Sequence, residues 1–239
     1  KFGVQVGYRF LNNFFLVVMG TIALRLAFPL LAVGVALEAG RNGWGLMRQL
    51  STPLWLEVPI SIVLLDGIIY FQHVLVHRIP LLWRLHRVHH TDTDLDVSSA
   101  LRFHPIEILL SMLIKIVAVV LFGISPVAVI LFEVILNFSA MFNHANWNIG
   151  KWDAVLAKLI VTPDMHRVHH STRLEESNSN FGFFLSIWDR IFATYKSEPR
   201  EGQLNFKIGT EIFRSYQDQR IDQLLIQPFR SSSNVQDLT

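Results

Sequence analysis

The chain has 239 residues, 51% of them hydrophobic and 17% charged, and its mean hydropathy of +0.36 lies on the apolar side of soluble proteins and favours a membrane protein. It contains no cysteine, which excludes disulfides, thiolate metal sites and cysteine-ligated iron–sulfur clusters, so any metal chemistry runs through His, Asp and Glu. A net charge of +2 spread along the chain argues against a nucleic-acid partner.

One large domain, 1–230, is expected, followed by a loose tail at 231–239. No signal-peptide pattern is visible, and the chain opens on Lys1, which leaves its natural start open. Four apolar stretches, 11–37, 55–76, 106–122 and 127–142, approach or exceed the length needed for a membrane span, about 20 helical residues for roughly 30 Å of hydrocarbon. The last two are separated by Gly-Ile-Ser-Pro at 123–126, a turn signal, and read as a hairpin that crosses and returns. If the first two do the same, the fold is all-α: a multi-pass bundle of about four transmembrane helices in two hairpins, with both open ends on one face. That face receives 77–105 and 143–239, which hold nine of the ten histidines and most of the Lys and Arg, whereas the connection 38–53 carries only Arg41 and Arg48. By the positive-inside rule this face is cytoplasmic.

In chain order, Asp66 lies inside the second span, seven residues before His73 and eleven before His77. The three share one helical stripe, and His73 and His77, four apart, can point at one ion. Asp66 either orients a histidine through a hydrogen bond or pairs with Arg25 or Lys115 for packing. After Pro80 a short helix carries His86-Arg87-Val88-His89-His90, followed by a polar loop at 91–99 that could flank the access route of a substrate. Glu133, eleven residues before His144 on the fourth span, admits the same two readings as Asp66. His144 emerges on the histidine face in Phe-Asn-His-Ala-Asn. Trp152, Val155, Leu156, Leu159 and Ile160 then recur at helical spacing, as in a helix lying in the membrane interface. Thr162-Pro163-Asp164 reads as N-cap, first helical position and acidic first turn. It opens a helix carrying the same five-residue word a second time, at His166, His169 and His170. Near the end, 222–230 looks like a short packed helix and turn.

Eight histidines thus fall in three clusters. In His-x-x-His-His the adjacent pair diverges by roughly 100° around a helix, so one triplet can serve two ions. Two triplets and a pair exceed the four to six ligands of one ion. An internal duplication is disfavoured because the flanks, Trp83-Arg84-Leu85 and Pro163-Asp164-Met165, are unlike. Imidazole-only ligation suits iron, zinc and copper alike.

Taken together these residues resemble the fatty acid hydroxylase/sterol desaturase superfamily of integral-membrane di-metal oxygenases. The likeness covers roughly 64–196 and includes the three histidine boxes in order, the lead-in DGIIYFQHVLVH at 66–77, Ser-Ala-Leu-Arg at 99–102, and His144-Ala145-Asn146. It continues through Thr162-Pro163-Asp164-Met165, Asn180-Phe181-Gly182 and the run 188–195, with Ala193 where a glycine is common. The resemblance implies a membrane four-helix bundle under a cytoplasmic helical cap holding two irons, which activate O2 for attack on a C–H bond of a lipid. Zinc, lacking redox chemistry, would be structural or acquired in purification.

By position, His73 and His77, then His86, His89 and His90, then His166, His169 and His170 are the metal ligands, with His144 as a ninth. Asp66, His104, Asn146 and Asp164 are expected to support them from behind. Electrons must come from outside, since no flavin, haem or cysteine-cluster motif is present; a ferredoxin or small b-type haem protein is the expected donor. Arg78, Arg84, Arg87, Arg167 and Arg173 serve either to dock it or to anchor the protein on the lipid surface. Two other functions fit parts of the pattern: ether-lipid cleavage like that of an alkylglycerol monooxygenase, and non-enzymatic metal binding or transport. The latter places its site near the midplane, unlike these histidines. The sequence carries no signal for oligomeric state.

Overall fold

The computed structural model describes residues 5–230; the expected tail at 231–239 lies outside the described residues. Among the described residues the chain is helical, with two isolated bridges, Ile160 to Leu185 and Ser171 to Ile208, and no strand. Four segments are long and apolar enough to cross a membrane: Val6–Gln49, Leu54–Arg78, Pro105–Phe122 and Pro126–His144.

The first segment is built from pieces. Helix α1 (Gln5–Ala27) and α2 (Leu31–Arg41) are separated at Phe28-Pro29-Leu30, and the short α3 (Leu46–Gln49) follows. Pro29 has no N–H to donate and disfavours helical backbone at Phe28, so the apolar run at 11–37 does not form one straight helix. The other spans are α4 (Leu54–Arg78), α6 (Pro105–Phe122) and α7 (Pro126–His144), with α5 (Pro80–His90) between the first two. Both α1 and α2 take α6 as their main partner, and α2 also lies on α7, while α4 packs on α5 and α7. Ala32, Ala36 and Ala39 are the buried residues of α2. In lipid, apolar surface alone does not drive helices together, and small residues that permit close backbone approach take over that role.

Local signals fix the α6–α7 hairpin. Pro105 opens α6, Gly123 ends it in the left-handed region at φ 68, and the Ser125 hydroxyl caps α7 by accepting the Ala128 N–H. A Cβ on Gly45 would stand 2.0 Å from the Gly123 nitrogen, so the loops at this end meet backbone to backbone and require glycine. Buried Glu57 closes the same end, accepting the Ser125 N–H at 2.6 Å and pairing with Arg48 at 3.4 Å. Between these helices Leu65, Ile69, Met112, Val119, Val129 and Phe132 form the core.

At the opposite end α5, α8 (Trp152–Leu156), α9 (Pro163–His169), α10 (Leu174–Ser177), α11 (Ile187–Ile191) and α12 (Ile221–Ile226) make the cap. The expected interfacial helix is shorter than its periodicity, ending at Leu156, yet Trp152, Val155 and Leu159 are 61%, 52% and 70% exposed, as a segment on a membrane surface requires. The expected C-terminal helix and turn are α12 and the 3-10 turn Gln227–Phe229, with Leu224 buried against Leu16 and Val88.

The loop at 91–99, expected to flank an access route, is anchored at both ends: Thr91, Asp92, Ser98 and Ser99 are buried, while Asp94 and Val97 stay exposed. Asp92 accepts from Arg9 Nε at 2.5 Å and from the Ser99 hydroxyl at 2.7 Å, while Arg102 donates to the Val88 carbonyl at 2.7 Å and to Thr91 at 3.1 Å. Burial alone would raise the Asp92 carboxyl, but Arg102 and Arg9 hold it below the usual carboxylate range. This network ties the start of α1 to the chain leaving α5.

Candidate metal centre

Four helices converge where the bundle meets the cap. The last two turns of α4 carry His73 and His77 on one face, α5 carries His86, His89 and His90, α7 ends on His144, and α9 carries His166 and His169, with His170 at its C-cap. As expected, Pro80 opens α5, while the Thr162 hydroxyl accepts the Met165 N–H to start α9. The nine imidazoles are at most 8% exposed.

They form two groups. His73, His77, His86, His90 and His169 make one, His89, His144, His166 and His170 the other, and the candidate ligand atoms within each group lie within 4.8 Å of one another. Each repeated word is divided between them. His86 and His90, four apart, go to the first group and His89 to the second; His166 and His170 go to the second and His169 to the first. The roughly 100° between adjacent helical positions produces this crosswise division.

The hydrogen bonds test whether cations fit. His73 Nδ1–H donates to the Phe181 carbonyl at 2.7 Å, His86 Nδ1–H to Glu107 Oε1 at 2.6 Å, His144 Nδ1–H to the Ala140 carbonyl at 2.7 Å and His169 Nδ1–H to the Ser179 carbonyl at 2.8 Å. A carbonyl only accepts, so in a neutral ring the proton sits on Nδ1 and Nε2 presents a lone pair. Yet His73 Nε2 faces His86 Nε2 at 3.2 Å, and His144 Nε2 faces both His89 Nε2 and His166 Nε2 at 3.1 Å. For His73 and His86 this is lone pair against lone pair, unfavourable unless a cation lies between. Nitrogens bound at about 2.0–2.1 Å with angles of 90–109° stand roughly 2.9–3.4 Å apart, which matches. Nε2 of His77, His90 and His169 is buried without a hydrogen-bond partner. Burial and neighbouring imidazoles push His89, His90, His166 and His170 well below the ordinary histidine value. Burial takes His169 down to about 3, against the raising effect of the Ser179 carbonyl. These rings are therefore neutral, the form that binds metal. The donor set is imidazole without thiolate, suited to iron, zinc or copper.

The supporting residues differ from those expected. Among the described residues Asp66 has no hydrogen bond or ion pair with a histidine or a cationic side chain: its carboxylate accepts from Phe184 N–H, Leu185 N–H and Trp188 Nε1–H, the last at 2.8 Å. It fixes the loop whose Phe181 carbonyl holds His73, and so acts one step further from the histidine groups. His104 caps α6 through Nδ1 and donates from Nε2 to the Leu225 carbonyl at 3.1 Å. Asn146 is exposed; the buried asparagine there is Asn143, which donates to the Phe183 carbonyl at 2.7 Å. Asp164 pairs with Arg167 on its own helix. Glu133 pairs with Lys115. Arg87 is buried and donates to the Gln227 and Arg230 carbonyls, and Arg173 pairs with Glu201, so neither is an unengaged surface cation.

Sequence reasoning missed Glu107, in the first turn of α6 and buried, as the partner of His86. An acidic residue three positions after His104 was the available signal. It also missed the three carbonyls. The loop supplying two of them is held by Asn180 at φ 54, which donates to the Met165 and Lys196 carbonyls, both at 2.8 Å, and by Asp189, which accepts from Phe181 N–H and Gly182 N–H at 2.8 Å. Burial raises the Asp189 carboxyl, and Thr194 and these N–H groups offset part of that.

A cavity of about 290 Å³ runs between α1, α4, α6 and α7 and ends on His73, His86 and Glu107. Its two exposed lining residues, Thr21 of α1 and Asn137 of α7, mark the side on which it opens to the outside of the bundle.

The family model described as Fatty acid hydroxylase matches residues 58–194. Similar curated proteins include ornithine lipid hydroxylase OlsE of Rhizobium tropici, 31% identical over 180 residues covering 74% of this chain and 51% of that protein. Human alkylglycerol monooxygenase is 31% identical over 140 residues, 54% of this chain and 28% of that protein. The Delta(7)-sterol 5(6)-desaturase erg3B of Aspergillus fumigatus is 27% identical over 148 residues, 62% of this chain and 41% of that protein. The chain therefore spans about half the length of the first of these relatives and less of the others. No solved structure matches it significantly. With the family match covering more than half of its residues, including all nine clustered histidines, the chain belongs to the fatty acid hydroxylase family.

Proposed function

We propose that the protein is an integral-membrane oxygenase that uses O2 and external electrons to hydroxylate or desaturate a C–H bond of a lipid, such as a fatty acyl chain or a sterol. The observation that carries this reading is a lipid-accessible cavity ending on His73 and His86, two members of a buried pair of histidine groups. His73, His77, His86, His90 and His169 would hold one metal and His89, His144, His166 and His170 the other, with iron as the metal of the working enzyme. Such a pair, when bound and reduced, supplies the activation of O2 that an unreactive C–H bond requires.

The chain's own residues do the rest. Glu107 and the Phe181 carbonyl keep the His86 and His73 rings oriented with Nε2 inward. Near the histidines the apolar side chains of Phe103, Phe183 and Ile69 exclude water and align a chain with its reacting carbon at that end. The whole of 1–230 acts as one domain. The excess of Lys and Arg on the cap side supports a cytoplasmic cap. A ferredoxin or b-type haem protein would deliver electrons there, and exposed Arg78 and half-buried Arg84 are the cations left to meet it.

The likeness to alkylglycerol monooxygenases favours a second substrate class, ether lipids. Untargeted lipidomics on cells expressing wild type or the His169→Ala/His170→Ala double variant decides. An O2-dependent hydroxylated or desaturated lipid made only by wild type supports the main reading, and selective loss of ether lipids supports the second. Identical lipid profiles would overturn both.

A further inference from the structure

Away from the histidines the cavity wall turns polar where a hydrocarbon channel needs no polarity. Glu107, Ser111 and Lys115 follow at four-residue intervals on α6 and form one stripe lining the cavity; Glu133 and Asn137 do the same on α7. Lys115 Nζ meets Glu133 Oε1 at 2.5 Å, with side chains 10% and 29% exposed. Eight residues at 1.5 Å each set this pair about 12 Å along the helix from Glu107, deep within the span. Gln72, next to His73, also lines the cavity, and its Oε1 is buried without a hydrogen-bond partner.

An ion pair at this depth is costly to desolvate, and apolar side chains of similar volume pack at least as well. Packing alone therefore gives no reason for it. What the pair offers a ligand is a donor and an acceptor side by side with no net charge. An amide or hydroxyl matches both and adds no charge to a low-dielectric site, whereas an ionised group would.

We propose that Lys115 and Glu133 form a binding subsite for a neutral hydrogen-bonding group, an amide or hydroxyl, carried by the lipid about 12 Å from the carbon presented to His73 and His86. The subsite selects lipids bearing such a group and fixes which carbon reaches the histidines. This rests on reading the cavity as the substrate's site.

The test is equilibrium binding to the full-length protein in nanodiscs with three uncharged probes of 16 carbons. Here n-hexadecane has no polar group, hexadecanamide carries it at the chain end and N-octyloctanamide carries it in the middle. Wild type should bind at least one amide about tenfold more tightly than the alkane, the worth of a hydrogen bond to a charged group. Which amide wins says whether the recognised group is terminal or internal. The Lys115→Met/Glu133→Leu variant, which leaves neither charge unpaired, should lose that preference while binding the alkane as before. Equal binding of the three probes by wild type, an undiminished preference in the double variant, or an equal loss for all three probes would each overturn the proposal. None of these readouts needs turnover, so a protein that prefers an amide yet oxidises no lipid would refute the oxygenase reading alone.

Discussion

Glu107 is the carboxylate behind the metal centre, and replacing it gives a quantitative test. Its Oε1 lies 2.6 Å from His86 Nδ1, both groups are buried, and among the described residues no other side chain is hydrogen-bonded to that nitrogen. Removing such a partner frees the ring to rotate or change tautomer and typically weakens metal binding about 10–100-fold, or roughly 1.4–2.7 kcal/mol. Glu107→Gln retains a neutral acceptor and should fall near the tenfold end, whereas Glu107→Ala should approach a hundredfold. The assay is competitive metal titration of the protein in nanodiscs against a chelator of known affinity. Glu57→Gln is the control: Glu57 is as deeply buried but lies at the far end of the bundle, on Ser125 and Arg48. It should reduce thermal stability and leave metal affinity alone. Affinity within about twofold of wild type in Glu107→Ala would refute the positioning role.

Three further outcomes follow from the same contacts. Arg9→Ala leaves buried Asp92 with Arg102 and Ser99 as its remaining partners and should cost about 1–3 kcal/mol, against less than about 1 kcal/mol for Arg41→Ala in the exposed pair with Glu38, both read from thermal unfolding. Ala193 stands in the left-handed region at φ 55, so Ala193→Gly should stabilise the protein by roughly 1 kcal/mol in the same measurement, and a destabilised variant would contradict the strain. Asp66→Ala removes the acceptor of two backbone N–H groups and the Trp188 indole; hydrogen exchange at 181–188 should accelerate, and metal affinity should fall less than in Glu107→Ala.

What could be read in the sequence follows from physical range. His73 and His77, and the triplets on α5 and α9, declare themselves because helical spacing alone decides which side chains share a face. Thr162 and Pro163 likewise mark a helix start with local chemistry. The Asp66 error has a different origin: its stripe is shared with His73, but seven residues, about 10 Å of helix, separate them, and partners 118 to 122 positions away claim its oxygens first. Arg9 and Asp92, 83 positions apart, are equally invisible to any local pattern. The Phe181, Ser179 and Ala140 carbonyls carry no residue-type signature at all, since every residue has one. The loop at 91–99 is polar in composition, yet Thr91, Asp92, Ser98 and Ser99 are buried, with Asp92 neutralised by Arg9 and Arg102.

The two histidine words interleave into two adjacent groups of imidazoles, each fit to hold a cation, and the number of metal ions per chain reads this out without any need for turnover. Protein extracted from iron-replete membranes and measured by inductively coupled plasma mass spectrometry should carry two metal ions per chain. The His166→Ala/His170→Ala variant, which empties half of one group, should retain about one. Wild type with one ion or none, or a variant that still holds two, would show that the two histidine groups are not two separate cation sites.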